Sequence, residues 1–136
     1  MMNSSQLHVN LSGRPEMGRA TALHRQCEQG CRPGPLGNAG EHRLQGDLGN
    51  DRAQGGKDDD RLQGNAGDDE LSGDLGDDRL QGGKGNDRLS GGPGEDSLFG
   101  DLGDDRLLGG RDDDRLEGGP GVDVLHGNRG TDRQVQ

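Results

Sequence analysis

The chain has no tryptophan, no tyrosine and a single phenylalanine, and only 24% of its 136 residues are hydrophobic. That is far below ordinary globular usage and excludes a conventional packed core. Cysteine is nearly absent as well. Cys27 and Cys31 lie together in the N-terminal part, so no disulfide framework spans the chain. No stretch approaches the apolar length of a membrane span, and the opening MMNSSQLHVNLSG lacks the continuous apolar run of a cleavable secretory signal. Membrane insertion and export by that route are therefore not expected.

What the chain does have is glycine and acid: 29 glycines, and 26 acidic against 16 basic residues for a formal net charge of -10. Composition alone would suggest a solvated, disordered acidic tract, but the glycines recur regularly, which points to a repeat architecture. The charge is uneven. Residues 1–36 hold Arg14, Arg19, Arg25 and Arg32 against Glu16 and Glu28, a net +2, so the remaining 100 residues carry -12. Such a surface repels phosphate and anionic lipid and attracts cations, so neither nucleic acid nor a membrane is expected as a partner.

From Gly37 to Val135 the sequence divides without insertion or deletion into eleven nonapeptides, GNAGEHRLQ, GDLGNDRAQ, GGKDDDRLQ, GNAGDDELS, GDLGDDRLQ, GGKGNDRLS, GGPGEDSLF, GDLGDDRLL, GGRDDDRLE, GGPGVDVLH and GNRGTDRQV. Glycine opens all eleven. The sixth position is Asp in ten and His42 in the other, and the eighth is Leu in nine, the exceptions being Ala53 and Gln134. A slower period of 27 residues overlies this one, with GDL at 46, 73 and 100 and GGK, GGK, GGR at 55, 82 and 109, as expected of internal duplication. Because 27 residues make one and a half coils of 18, successive blocks should alternate between the two edges of the fold and leave neither edge specialised.

A period of nine fits neither a helix nor a long strand, and glycine at this density penalises helix by about 1 kcal/mol per residue. Each unit reads as a six-residue turn, G-[GDN]-x-G-x-D, followed by a three-residue extended piece such as Arg88-Leu89-Ser90, with leucine inward and its neighbours outward. Two units form one flattened coil of 18 residues, and stacked coils give two parallel sheets with leucine ladders between them. Asp or Asn at 38, 47, 65, 74, 101 and 128 replaces the second glycine, the substitution a positive φ tolerates best. So sparse a core cannot by itself offset the entropy of ordering eleven repeats, and stacking brings sixth-position carboxylates together. A hard divalent cation would reverse that repulsion. Calcium suits a glycine-rich turn ending in Asp, since it takes carboxylate and carbonyl oxygens in flexible geometry, whereas magnesium demands a tighter shell.

GGKGND, GGPGED and GGPGVD, each followed by x-Leu-x, resemble the G-G-x-G-x-D-x-U-x nonapeptide of the hemolysin-type, or RTX, calcium-binding repeat. The resemblance covers residues 37–135. It implies an all-β parallel β-roll, a right-handed β-solenoid with 18 residues per coil, in which calcium is held between the turns of repeats i and i+2 by the sixth-position Asp of both and by turn carbonyls. The implied ligands are Asp51, Asp60, Asp69, Asp78, Asp87, Asp96, Asp105, Asp114, Asp123 and Asp132. Pairing repeats i and i+2 gives nine sites, one of which contains His42 and lacks a carboxylate, so Ca2+ at about eight sites is expected. Asp58 and Asp112 replace the fourth-position glycine and make the sites at those turns less regular. The resemblance further implies secretion through a type I channel, a monomer outside the cell and no enzyme activity; the alternative is the C-terminal part of a larger exoenzyme, toxin or adhesin.

Other motifs are weak. Gly83-Lys84-Gly85 and Gly92-Pro93-Gly94 have neither the preceding strand nor the following helix of a nucleotide loop. DDDRLQG from Asp58 fails as an EF-hand because Leu62 falls at the fifth loop position, where a ligand is needed. Neither His-Glu-x-x-His nor Gly-x-Ser-x-Gly occurs, and the scarcity of threonine argues against an ice-binding ladder. His24, Cys27 and Cys31 form H-x2-C-x3-C, which lacks an obvious fourth zinc ligand. Residues 1–36 read as a disordered leader, with CRPGPLG as the linker into a repeat domain at 37–136. The seventh-position arginines, such as Arg79, Arg88 and Arg106, should form surface pairs with acidic fifth positions such as Asp77 and Asp104. Gln134 at an inward position marks a frayed or capping last coil.

Overall fold

The computed structural model describes residues 40–136 and one strand before them, β1 (Arg25–Cys27). The rest of residues 1–39, including His24, Cys31 and most of the leader expected to be disordered, lies outside the described residues. The strands that follow are β2 (Arg43–Gly46), β3 (Arg52–Lys57), β4 (Arg61–Ala66), β5 (Glu70–Leu75), β6 (Arg79–Lys84), β7 (Arg88–Pro93), β8 (Ser97–Leu102), β9 (Arg106–Arg111), β10 (Arg115–Glu117), β11 (Val124–Asn128) and β12 (Arg133–Val135). They form two all-parallel sheets, one of seven strands in the order β1-β2-β4-β6-β8-β10-β12 and one of five in the order β11-β9-β7-β5-β3. Odd repeats feed the first sheet and even repeats the second, so the architecture is the expected β-solenoid of two nonapeptides per coil.

Register follows from the leucines. Leu44, Leu62, Leu80, Leu98 and Leu116 stack in one sheet, and Ala53, Leu71, Leu89 and Leu107 in the other. All nine are at most 5% exposed and constitute the core. Leu125 packs against its end only partly buried, and Gln134, in register with Leu116, is exposed, in keeping with a loosened last coil. β1 joins the other end one residue out of phase, Arg25 lying opposite Leu44.

The extended piece is longer than the three residues the sequence suggests. Most strands run six residues, from the seventh position of one repeat through the third of the next. The reason lies at the second position, where Asn65 (φ 85°), Gly83 (φ 118°) and Asp101 (φ 75°) turn the chain within the strand. From Gly56 onward each coil bends at the same place, whereas Asp47 in the first has no positive φ, so the parallel ladder continues through the corner, with Asn65 opposite Gly83 and Gly83 opposite Asp101. Asp58 (φ 69°) and Asp112 (φ 75°) adopt the left-handed conformation of the fourth-position glycines they replace, as short polar residues can.

Candidate metal centre

Three residues per repeat face inward: the sixth-position Asp, the eighth-position Leu and the glycine that opens the next repeat. The implied ligands accordingly form two buried columns. His42, Asp60, Asp78, Asp96, Asp114 and Asp132 stack along one edge, and Asp51, Asp69, Asp87, Asp105 and Asp123 along the other; Asp132, in the last coil, is half-buried. All nine expected pairs are brought together. In each, the backbone N–H of the earlier residue donates to Oδ1 of the Asp 18 residues on, at 2.6 Å for His42–Asp60, 2.8 Å for Asp87–Asp105 and 3.1 Å for Asp114–Asp132. In the pair without a second carboxylate, His42 Nδ1 also lies 2.9 Å from Asp60 Oδ1.

The second oxygen is different. Oδ2 of Asp60, Asp69, Asp78, Asp87, Asp96, Asp105, Asp114 and Asp123 is buried with no hydrogen-bond partner. A buried carboxylate oxygen left unpaired is costly unless it is protonated or meets a cation. Desolvation accordingly pushes Asp78, Asp87 and Asp96 up to about 7 and Asp114 to about 6. Backbone N–H donation opposes the rise, and neighbouring carboxylates add to it. Asp60, Asp69 and Asp105 are raised by the same desolvation.

These oxygens point at glycine. A Cβ built on Gly55 would fall against Oδ2 of Asp60 and 2.7 Å from the carbonyl oxygen of Gly73. One on Gly64 would fall against Oδ2 of Asp69 and 2.8 Å from Gly82 O. A carboxylate oxygen and a carbonyl oxygen of the next coil thus share a space that any side chain would fill. The sequence reading assigns these glycines to the turn, yet the first-position glycines have no positive φ. In the ten repeats that have Asp, the first glycine leaves room for the carboxylate of its own repeat, and the legible signal was that glycine opens each of those ten. The fifth position has a role that sequence reasoning missed. Its side chain accepts the N–H of the fifth residue one coil later, as in Asn50 Oδ1 with Asp68 N and Asp68 Oδ1 with Asn86 N, both at 2.9 Å. Two ladders of opposite direction therefore clamp each edge.

This corrects the expected arginine pairs. Among the described residues, Arg79, Arg88 and Arg106 form no ion pair with Asp77 or Asp104; the ion pairs are Arg52–Glu70 at 2.6 Å, Arg115–Glu117 at 3.2 Å and His42–Asp60. Fifth-position carboxylates, Asp77 and Asp104 among them, accept backbone N–H groups instead. The edges are also not equivalent, contrary to the expectation from the 27-residue blocks. DDD at 58–60 and at 112–114 are two blocks apart and so share one edge. The opposite edge carries a groove of about 540 Å³ with Asp68, Asp69, Asn86, Asp87, Asp104 and Asp105 on its walls.

Among the described residues no three His, Cys, Asp or Glu side chains converge on one point, so backbone carbonyls or water would have to complete a metal shell there. Hard oxygen donors of that mixed kind suit calcium. No helix among the described residues is long and apolar enough to cross a membrane. A tandem-repeat β-solenoid with buried carboxylates stacked along both edges defines a class of metal-binding roll. The chain belongs to the RTX calcium-binding nonapeptide repeat family, whose four-copy model matches residues 45–80, 72–107 and 99–133. No curated protein and no solved structure matches it. Repeats of this family bind calcium, the expected partner of this chain.

Proposed function

We propose that this chain is a noncatalytic module that folds on calcium and works outside the cell. The observation that carries this reading is the set of eight buried carboxylate oxygens without partners, each beside a glycine. Asp60, Asp69, Asp78, Asp87, Asp96, Asp105, Asp114 and Asp123, together with Asp51 and Asp132 at the ends of the columns, are the side-chain ligands, and the carbonyls of first-position glycines such as Gly73 and Gly82 complete the sets. Calcium bound there supplies positive charge between stacked carboxylates and replaces their lost hydration. Oδ1 meanwhile keeps its bond to the backbone of the neighbouring coil, so ligand and ladder are set by the same side chain. The His42–Asp60 pair closes without a second carboxylate, leaving about eight sites.

A ligand held by the folded state alone stabilises it in proportion to the logarithm of its concentration once above the dissociation constant, roughly 10⁻⁴ to 10⁻³ M for extracellular modules. The chain would thus stay unfolded in a calcium-poor cytosol, pass a type I exporter and condense outside, alone or as the repeat region of a larger exported protein. Far-UV circular dichroism through a calcium titration, with equilibrium dialysis for stoichiometry, tests this. Strand signal should appear between chelator and millimolar calcium with about eight ions bound; a chain already folded in chelator that takes up no calcium refutes it.

A further inference from the structure

Successive coils are not bonded to one another equally along the two edges. Besides the sixth-position ladder, two bonds can join a turn to the turn stacked 18 residues on. In one, the N–H of the fourth residue donates to the carbonyl of the third residue of the next coil, as from Gly85 to Leu102 at 2.8 Å and from Gly103 to Pro120 at 3.2 Å. In the other, the fifth-position side chain accepts the N–H of the next fifth residue, as Asn86 Oδ1 does from Asp104 at 2.9 Å. Along the edge of Asp69, Asp87 and Asp105 both bonds are made at every step. Along the other edge both are absent at one step, from Gly94 and Glu95 to Arg111 and Asp113, beside the Asp96–Asp114 pair. Two residue choices account for this gap. Every fifth-position Asp or Asn with a coil stacked after it makes its bond, whereas Glu41 and Glu95, one methylene longer, do not. The fourth-position bond is missing wherever Asp58 or Asp112 takes part and present at every other step. The third carbonyl and the fourth N–H belong to one peptide, whose tilt follows φ of the fourth residue. Glycines there lie at φ 100° to 153°, while Asp58 at 69° and Asp112 at 75° stay in the left-handed well open to a side chain. Asp58 compensates by taking the Gly40 N–H on its own carboxylate at 2.7 Å; Asp112 makes no such bond to Gly94.

We propose that the fourth and fifth residues are positioning residues that grade the calcium sites beside them, and that the Asp96–Asp114 site, next to the gap, fills after the Asp87–Asp105 site. The inference rests on the calcium reading above. A turn already held in place loses less freedom when a ligand binds, so its site is tighter; a turn that calcium must itself draw in takes calcium more weakly. Charge argues the other way, because Asp112 supplies a carboxylate where the Asp87–Asp105 step has Gly103. That carboxylate is exposed. An exposed charge is worth at most about fivefold and is screened by salt, whereas two hydrogen bonds together are worth roughly 5- to 100-fold, so the bonds decide the order.

The test is hydrogen–deuterium exchange of the full chain, read by mass spectrometry on the turns 109–114 and 100–105 through a calcium titration at physiological ionic strength. The 109–114 turn should gain protection at a calcium concentration roughly fivefold or more above that of 100–105. Glu95→Asp/Asp112→Gly, which restores both bonds, should bring the two midpoints together, and Glu95→Asp alone should close part of the difference. Asn86→Glu/Gly103→Asp, which copies the gap onto the opposite edge, should raise the midpoint of 100–105 instead; if that variant loses its strand signal, the two repaired variants still test the order. A single midpoint for both turns in the parent chain, or midpoints that stay apart in the doubly repaired variant, overturns the proposal and leaves calcium binding intact. Absence of calcium-dependent protection at either turn overturns it together with the reading it rests on.

Discussion

Gly82 and Gly83 are adjacent, and the structure disfavours alanine at each for a different reason. At Gly83 the backbone is at φ 118°, which strains alanine, whereas Asn65 and Asp101 occupy the equivalent position at φ 85° and 75°. At Gly82 the backbone imposes no such demand, and replacing glycine by alanine in a permissive conformation normally stabilises a protein by about 0.4–1 kcal/mol. Here the added carbon would lie 2.8 Å from Cγ and 2.9 Å from Cβ of Asp87, and closer still to Oδ2. Overpacking of that kind costs about 1–3 kcal/mol, which exceeds the entropic gain, so Gly82→Ala should destabilise the roll. For a repeat region of this size, about 1 kcal/mol corresponds to some 4–8 °C in Tm. Gly82→Ala should therefore lower the melting temperature in saturating calcium, and also shift the calcium midpoint upward by filling space beside the Asp87 carboxylate. Truncating that carboxylate removes two of the three contacts, so Gly82→Ala should cost less in an Asp87→Ala background, with a coupling of about 1 kcal/mol. Gly83→Ala should show no such coupling, its cost being backbone strain and a clash with the Asn65 carbonyl. Thermal melts of the single and double variants measure all of this. A Gly82→Ala protein that melts higher than its parent would refute the inference that the first-position glycine exists for the carboxylate.

Further outcomes follow from the same geometry. In chelator, the carboxyls of Asp78, Asp87 and Asp96, raised to about 7 from an ordinary 3.8, hold more protons folded than unfolded, so the metal-free roll should gain stability as pH falls from 7 toward 4 and lose it as pH rises through 7. Circular dichroism in EDTA from pH 8 to 5 should show strand increasing, and a decrease would contradict the sign. Asp87→Asn touches two stacked pairs, with Asp69 and Asp105, and Asp132→Asn only one, with Asp114; equilibrium dialysis should find the central change costing more bound calcium. Leu89→Ala should cost about 2–5 kcal/mol as a buried leucine in mid-stack, and Leu125→Ala clearly less, as chemical denaturation in calcium would measure.

Much of this was legible in the chain. The nine-residue period, the inward leucines and the 18-residue coil follow from side-chain alternation and glycine placement, both local properties that one repeat expresses as well as eleven. The choice of Asp and Asn at 65, 74 and 101 is equally local, and each has the positive φ it suggested. The Asp ladder was legible as a set of residues but not as an arrangement. Nothing in GGKGND says that the Asp87 carboxylate turns inward to accept a backbone N–H from the coil before it, or that its other oxygen meets Gly82.

Sequence alone thus settled what each position of a repeat can do, because backbone conformation and side-chain direction are decided within a few residues. Stacking settled which groups meet. Asp68 has its nearest polar partners 18 residues away on either side, in Asn50 and Asn86, and the arginines it would have paired with are left facing outward. Whether a carboxylate bonds to a neighbouring amide, to a guanidinium or to a cation depends on competition across coils, which distance along the chain does not encode and only the stacked fold decides.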